Sequence, residues 1–261
     1  MPDTSFDRSD DLALAHRLAD AAGHAIRPFF RAAHGLERKA DRSPVTEADR
    51  ASESAMREIL EAARPDDGIF GEEYGTTRGE AKRVWVLDPI DGTRSFVAGR
   101  PIFGTLIALV EDGLPVLGVI DQPILGERWT GVAGRPTLFN GGAIATRACA
   151  ELADAVLATT GPSYFQPAEW DAYNRCTADA RDVIWGGDCY NYGLLALGSL
   201  DAVIEAGLKL YDYAALVPVV EGAGGRMRDW QGRPLHAGSS GHVIAVGDAR
   251  LLDPLVARLA G

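Results

Sequence analysis

The sequence predicts a layered α/β protein made of two closely packed halves. Apolar positions at helical spacing alternate along the chain with short β-branched runs, and interleaved helices and strands bury their faces by stacking in layers. With 261 residues, 46% apolar and 24% charged, the chain has a globular composition. A single core stops growing at roughly 250 to 300 residues. Two intimate subdomains, about 1–147 and 148–261, are therefore expected within one domain spanning 1–261, and no repeat, low-complexity tract or long linker divides them.

From Asp11 to Ala33, the residues Leu12, Ala15, Ala19, Ala22, Ile26, Phe29 and Phe30 recur at helical spacing, an amphipathic helix that Pro28 bends or ends. A polar loop, Gly35 to Pro44, follows. Thr46 and Asp49 match the capping pattern in front of a second helix, Glu47 to Ala63. From Val84 the pattern changes to strands: Val84 to Leu87, Ile102 to Val110, Val116 to Ile120 and Arg128 to Val132, with hairpin turns at Glu111 to Leu114 and Pro123 to Glu127. In the second half the strands are Val156 to Thr160, Val183 to Gly186, Ala202 to Ala206 and Val243 to Val246. Between and after them lie helices around Pro167 to Ala180, from Asp188 to Leu197, after Asp212, and from Ala249 to Leu259.

A net charge of −11 and a pI near 4.9 argue against nucleic-acid and membrane-surface partners, because binding phosphate backbones relies on Lys and Arg. Met1 to Asp10 lacks the basic and apolar regions of a secretory signal, and no apolar run reaches the ~18 to 20 residues of a membrane span. Cys149, Cys176 and Cys189 have no CxxC spacing, so reduced thiols and a cytoplasmic location are expected. The five histidines, His16, His24, His34, His236 and His242, are scattered without ligand spacing. An acidic protein that handles an anion needs local positive charge, from a helix N-terminus or a bound metal.

Asp88-Pro89-Ile90-Asp91-Gly92-Thr93 supplies such a place. Two acidic residues three apart on a regular strand face opposite sides, so Asp88 and Asp91 converge only if the strand ends between them, as Pro89 and Gly92 allow. The two carboxylates and the Ile90 carbonyl then offer hard oxygen ligands suited to Mg²⁺. If Gly92 and Thr93 begin a helical turn, their backbone N–H groups bind a phosphate beside the metal. A plain turn is the alternative. Gly71-Glu72-Glu73 follows another strand-like run, and Asp212 precedes the apolar stretch Ala214 to Val220; solvated loop charges and an N-cap are their bland readings, as a helix cap is for Asp49.

Taken together, Asp49, Gly71-Glu72-Glu73, Asp88 to Thr93 and Tyr211-Asp212-Tyr213-Ala214-Ala215 resemble, in order, the motifs of the inositol monophosphatase-like superfamily. Tyr211 stands where the family usually has Trp, and Leu216 where Gly is common; neither change removes a ligand. The resemblance implies a layered α-β-α-β-α sandwich of the inositol monophosphatase/fructose-1,6-bisphosphatase type, usually a homodimer. It implies two or three Mg²⁺ ions on Glu72, Asp88, Asp91, Asp212 and the Ile90 carbonyl, catalysis by Glu72 with Asp49 and Thr93 at the attacking water, and Glu73 supporting Glu72 from behind. Lys39 is a further candidate near the phosphate.

A narrower resemblance runs through Phe103 to Ala108, Gly118 to Trp129 and Trp185 to Tyr190, with Asp121-Gln122-Pro123 and Gly187-Asp188-Cys189 as its distinctive parts. These resemble the histidinol-phosphatase branch, which implies L-histidinol phosphate, a small phosphorylated substrate of histidine biosynthesis. That substrate carries an ammonium and an imidazole, which carboxylates at Asp188 and Glu205 would recognise, with Asn191 as a third candidate and Gly92 and Thr93 on the phosphate. An N-cap is the alternative for Asp188, a strand-end surface charge for Glu205. Competing functions on this scaffold are an inositol-1-phosphate or broad sugar-phosphate phosphatase and, in another class, a regulatory binding protein.

Overall fold

The computed structural model describes residues 8–32, 35, 37–38 and 44–261. The first half runs through α1 (Ser9–Ile26), β1 (Glu37–Arg38), β2 (Pro44–Val45), α2 (Glu47–Ala63), β3 (Gly68–Gly71), β4 (Gly75–Thr77), β5 (Arg83–Asp91), α3 (Thr93–Val97), β6 (Gly104–Glu111), β7 (Leu114–Gln122), β8 (Glu127–Val132), β9 (Leu138–Phe139) and β10 (Gly142–Ala143). The second continues through β11 (Val156–Thr159), α4 (Pro167–Thr177), β12 (Asp182–Trp185), α5 (Tyr190–Ala196), β13 (Ala202–Glu205), α6 (Leu210–Tyr213), α7 (Leu216–Gly222), β14 (Arg226–Arg228), β15 (Val243–Val246) and α8 (Leu252–Ala260).

The first half forms an eight-stranded sheet in the order β10-β9-β8-β7-β6-β5-β3-β4, antiparallel except for the β3–β5 pair. The second forms a five-stranded mixed sheet in the order β12-β11-β13-β15-β14. Alternation along the strands assigns the layers. Trp85, Leu87, Ile107 and Leu109 pack with Leu14, Leu18, Met56 and Leu60 of α1 and α2 on one face of the large sheet. Val86, Leu106, Ala108 and Ile120 face the other way, onto Leu195, Val219 and Val220 of α5 and α7, and this same core takes Val203 and Val243 of the small sheet. Leu157, Ile204 and Ile244 on the small sheet's far side meet Tyr173 and Leu255 of α4 and α8. The result is the expected α-β-α-β-α sandwich, in which the helices between the sheets join both halves through one core.

Several expected elements shift in ways local chemistry explains. The first helix ends at Ile26 rather than Ala33, because Pro28 enters a 3₁₀ turn at Arg27–Phe29. The hairpin at Glu111 to Leu114 closes as expected, with Asp112 and Gly113 both at positive φ, the two-residue turn that matches strand twist. The stretch after Asp212 divides into α6 and α7, and Asp212 lies inside α6 rather than before a helix. Among the described residues no helix is long and apolar enough to cross a membrane, and the three cysteines are buried free thiols.

Candidate active site

The site is built from β5. Asp88 follows Val86 on the face toward the middle helices, and on a regular strand Asp91 would face away. Instead, the pairing passes from Asp88 opposite Leu106 to Asp91 opposite Gly104, so β5 holds one residue more than β6 over this stretch. The bulge turns Asp91 back to the face of Asp88. Pro89 has no N–H to offer a ladder and suits this position, and its carbonyl accepts the Thr105 hydroxyl at 2.8 Å. The strand therefore does not end between the two aspartates, as expected from their spacing; it continues through a bulge with the same outcome. Gly92, at φ +86, then leads into α3, the helical turn expected at Thr93.

Parallel register brings Glu72 alongside. Gly71 is level with Leu87, so Glu72 falls beside Asp88, its N–H donating to the Leu87 carbonyl at 3.1 Å. A residue not singled out in the sequence, the buried Glu53, holds this loop. Its carboxylate accepts the N–H groups of Glu73 at 2.7 Å and Tyr74 at 3.2 Å and pairs with Arg57 at 2.7 Å. A Cβ on Gly71 would lie 2.0 Å from Glu53 Oε1, so only glycine lets the carboxylate in. Glu73 meets Glu53 through its backbone, and its side chain does not line the cavity.

Asp212 arrives from the other half through two facing glycines, Gly118 of β7 and Gly131 of β8. A Cβ on Gly118 would lie 2.0 Å from the Ala215 carbonyl oxygen, and one on Gly131 would lie 2.3 Å from the Pro218 backbone. Their absence lets the backbone after α6 lie against the sheet. Asp212 Oδ2 accepts the Lys209 N–H at 2.5 Å, so its bland reading as a cap is half true. One oxygen each of Asp88, Asp91 and Asp212 lies within 4.8 Å of the others.

Three carboxylates this close repel one another. Burial first, then Glu72, Asp91 and Asp212, push the Asp88 carboxyl well above its usual range. Asp91 is raised likewise by burial, Asp188 and Asp212, against the Cys189 N–H that donates to it at 2.6 Å. Burial pushes Asp212 up to about 7, against the Lys209 N–H and with Glu72 adding to the rise. Asp88 Oδ1 is buried without a hydrogen-bond partner among the described residues. The Ile90 carbonyl accepts the Thr93 hydroxyl at 3.1 Å. Burial and adjacent carboxylates keep the Cys189 thiol protonated, so the donor set is all oxygen. Such a set fits a hard divalent cation, which would relieve the repulsion and satisfy the orphaned oxygen.

A cavity of about 230 Å³ opens onto the cluster, its wall including Glu72, Asp91, Gly92, Thr93 and Asp212 together with Asp188 and Glu205. Asp188 is not the N-cap of α5, which begins at Tyr190; its Oδ2 accepts the Ser95 hydroxyl at 3.0 Å. A Cβ on Gly92 would lie 2.8 Å from that oxygen, so glycine admits the carboxylate over the start of α3. Glu205 is no surface charge: it is 2% exposed, accepts Thr160 N–H at 2.6 Å and the Thr160 and Thr159 hydroxyls at 2.9 and 3.2 Å, and is raised by burial to about 7.

Other expected site residues do not line the cavity. Asn191 does not line the cavity; its amide turns to the Gly186 carbonyl at 3.0 Å. Asp49 also lies outside the lining, fully buried, its Oδ2 accepting Thr46 N–H and Oγ1 at 2.7 and 2.6 Å as the cap of α2. Lys39 and His34 lie outside the described residues, and none of the described histidines joins the cluster. Asp121-Gln122-Pro123 is a structural corner: Asp121 pairs with Arg128 at 2.6 Å, Gln122 accepts the Ile124 and Leu125 N–H groups, and Pro123 accepts Arg27 at 3.0 Å. The sequence reading missed Arg94, whose guanidinium lies over the Tyr164 ring at 4.8 Å on the cavity wall; its place directly after Thr93 was the available signal.

The chain is similar to known proteins over nearly its whole length. A bifunctional phosphatase, IMPL2, from Arabidopsis thaliana is 49% identical over 95% of this chain and 74% of its own length. A histidinol-phosphatase from Mycobacterium tuberculosis is 38% identical over 96% of this chain and 98% of its own. A solved structure of an inositol monophosphatase from Zymomonas mobilis, 59% identical, covers 97% of this chain and 99% of that one with a TM-score of 0.90. With the model of the inositol monophosphatase family matching residues 7–260, and with Glu72, Asp91 and Asp212 from three of its motifs on one cavity wall, the chain belongs to that family of phosphatases.

Proposed function

We propose that this phosphatase hydrolyses L-histidinol phosphate to L-histidinol and phosphate, with Mg²⁺ held by Glu72, Asp88, Asp91, Asp212 and the Ile90 carbonyl. Held by these residues, divalent cations would supply the positive charge that favours attack by water on the phosphorus and departure of the alkoxide. The backbone N–H groups at Gly92 and Thr93 orient the phosphate. The Thr93 hydroxyl, its proton committed to Ile90, offers a lone pair that orients the water.

One observation carries the choice of substrate: Asp188 and Glu205 share the cavity with the metal cluster. A phosphate has no use for either carboxylate and is repelled by both. A leaving group bearing an ammonium is drawn to them by charge-assisted hydrogen bonds. The histidinol-phosphatases at 38–39% identity support the same reading. The 59% identity to an inositol monophosphatase favours a second reading, inositol 1-phosphate, whose neutral ring offers those carboxylates only hydroxyl donors.

The test is kcat/KM on both substrates for the wild type and for Asp188→Ala. The substitution is expected to cost at least about tenfold on L-histidinol phosphate, the loss of a charged hydrogen bond, and little on inositol 1-phosphate. Unchanged turnover of L-histidinol phosphate by the folded variant would overturn the assignment.

A further inference from the structure

The turn that carries Asp188 is held by a side chain outside the cavity. Gly186, Gly187 and Asp188 follow one another at φ +87, +119 and +45. Glycine enters this region freely, and Asp is among the few other residues that tolerate it. A run of such backbone persists where its surroundings over-determine it. Asn191, 2% exposed in the first turn of α5, supplies that constraint. Its Nδ2 donates to the Gly186 carbonyl at 3.0 Å, and its Oδ1 stands 2.2 Å from where a Cβ on Gly187 would fall. The far end of the turn is fixed separately, by the Cys189 N–H on Asp91 at 2.6 Å.

We propose that Asn191 is a positioning residue for substrate selection: it holds the Gly186–Asp188 turn so that the Asp188 carboxylate faces the leaving group. This rests on the reading of Asp188 given above. Without the Nδ2 donor the Gly186 carbonyl loses a partner and the turn relaxes toward ordinary backbone. Asp188 then leaves its place beside Ser95, while the Cys189–Asp91 bond keeps the metal side of the site in order. Asn191 thus acts on the leaving group through Asp188 and leaves phosphate and metal handling alone.

The test compares Asn191→Ala and Asn191→Asp, which keeps the shape but not the donor, with Asp188→Ala and the Asp188→Ala/Asn191→Ala double variant. Each Asn191 substitution is expected to raise KM for L-histidinol phosphate about tenfold, with kcat and the turnover of β-glycerophosphate within about twofold of wild type. The double variant is expected to be no worse than Asp188→Ala, the mark of a residue acting through another. Amide exchange followed by mass spectrometry is expected to quicken in the peptide spanning Gly186 to Asn191 and to stay unchanged in α4 and β15. Losses that multiply in the double variant, equal losses on both substrates, or unchanged exchange in the turn would each overturn the proposal. If the wild type ignores L-histidinol phosphate, the substrate reading fails, and the exchange measurement decides the role of Asn191 on its own.

Discussion

Replacing Asp212 by Asn is expected to stabilise the metal-free protein and to weaken its response to Mg²⁺. Burial and Glu72 push the Asp212 carboxyl from 3.8 up to about 7. At 1.36 kcal/mol per pH unit, keeping it ionised at pH 8 costs about 4 kcal/mol. Asp88 and Asp91 share the cluster's protons, so about half of that, ~2 kcal/mol, is assigned to the single substitution. For a chain of this size it corresponds to a Tm rise of about 4–8 °C. Asn keeps the oxygen that accepts the Lys209 N–H, so the gain is not offset by a lost cap. The sign follows from the raised value: a carboxyl whose folded pKa lies above its unfolded one favours the fold below pH 3.8 and loses that contribution as pH rises through about 7. Metal-free wild type therefore loses stability between pH 5 and pH 8, and Asp212→Asn loses less. Thermal melts in EDTA at both pH values, repeated with Mg²⁺ at pH 8, read all three effects. A lower Tm for Asp212→Asn in EDTA at pH 8, or an equal gain from Mg²⁺ in both proteins, would refute the argument that like charge at this cluster awaits a cation.

Gly118→Ala is expected to cost more than about 3 kcal/mol in urea unfolding, since a Cβ placed 2.0 Å from the Ala215 carbonyl has only backbone to displace; a cost below about 1 kcal/mol would show that the Asp212 segment is not held by that contact. Glu205 ionises only as pH rises through about 7, so KM for a cationic substrate is expected to fall between pH 6 and pH 8 in the wild type and to change less in Glu205→Gln. Identical pH profiles would remove Glu205 from leaving-group recognition. Glu53→Gln is expected to weaken Mg²⁺ binding about tenfold by calorimetry, because the loop that aims Glu72 hangs on that carboxylate. Unaltered affinity would free Glu72 from its dependence on Glu53.

What the sequence made legible was local. Helix and strand periods gave the layers, and Thr46 with Asp49 gave the start of α2. The motif Asp88 to Thr93 announced two converging carboxylates but not the bulge that converges them, because the extra residue is visible only against β6. Contacts across the fold left no local trace. Gly118 and Gly131 read as ordinary strand residues until the backbone of Ala215 and Pro218 lies against them, and Glu53 reads as a helix-surface acid until Gly71 is seen to admit it. Asp188 was assigned two roles by its neighbours in sequence, and the positive φ run before α5 decided against the cap. Asn191 is drawn toward the substrate by its company in the motif, whereas its amide is spent on the Gly186 carbonyl of the turn.

A carboxylate-held divalent cation and a cation-seeking leaving-group pocket are proposed to act on one phosphate ester. Phosphate release from L-histidinol phosphate and from inositol 1-phosphate, with Mg²⁺ and then with EDTA, tests it most directly. The higher kcat/KM is expected on L-histidinol phosphate, with loss of both activities in EDTA. Turnover that survives EDTA would contradict the metal site, and a preference for inositol 1-phosphate would contradict the role given to Asp188 and Glu205.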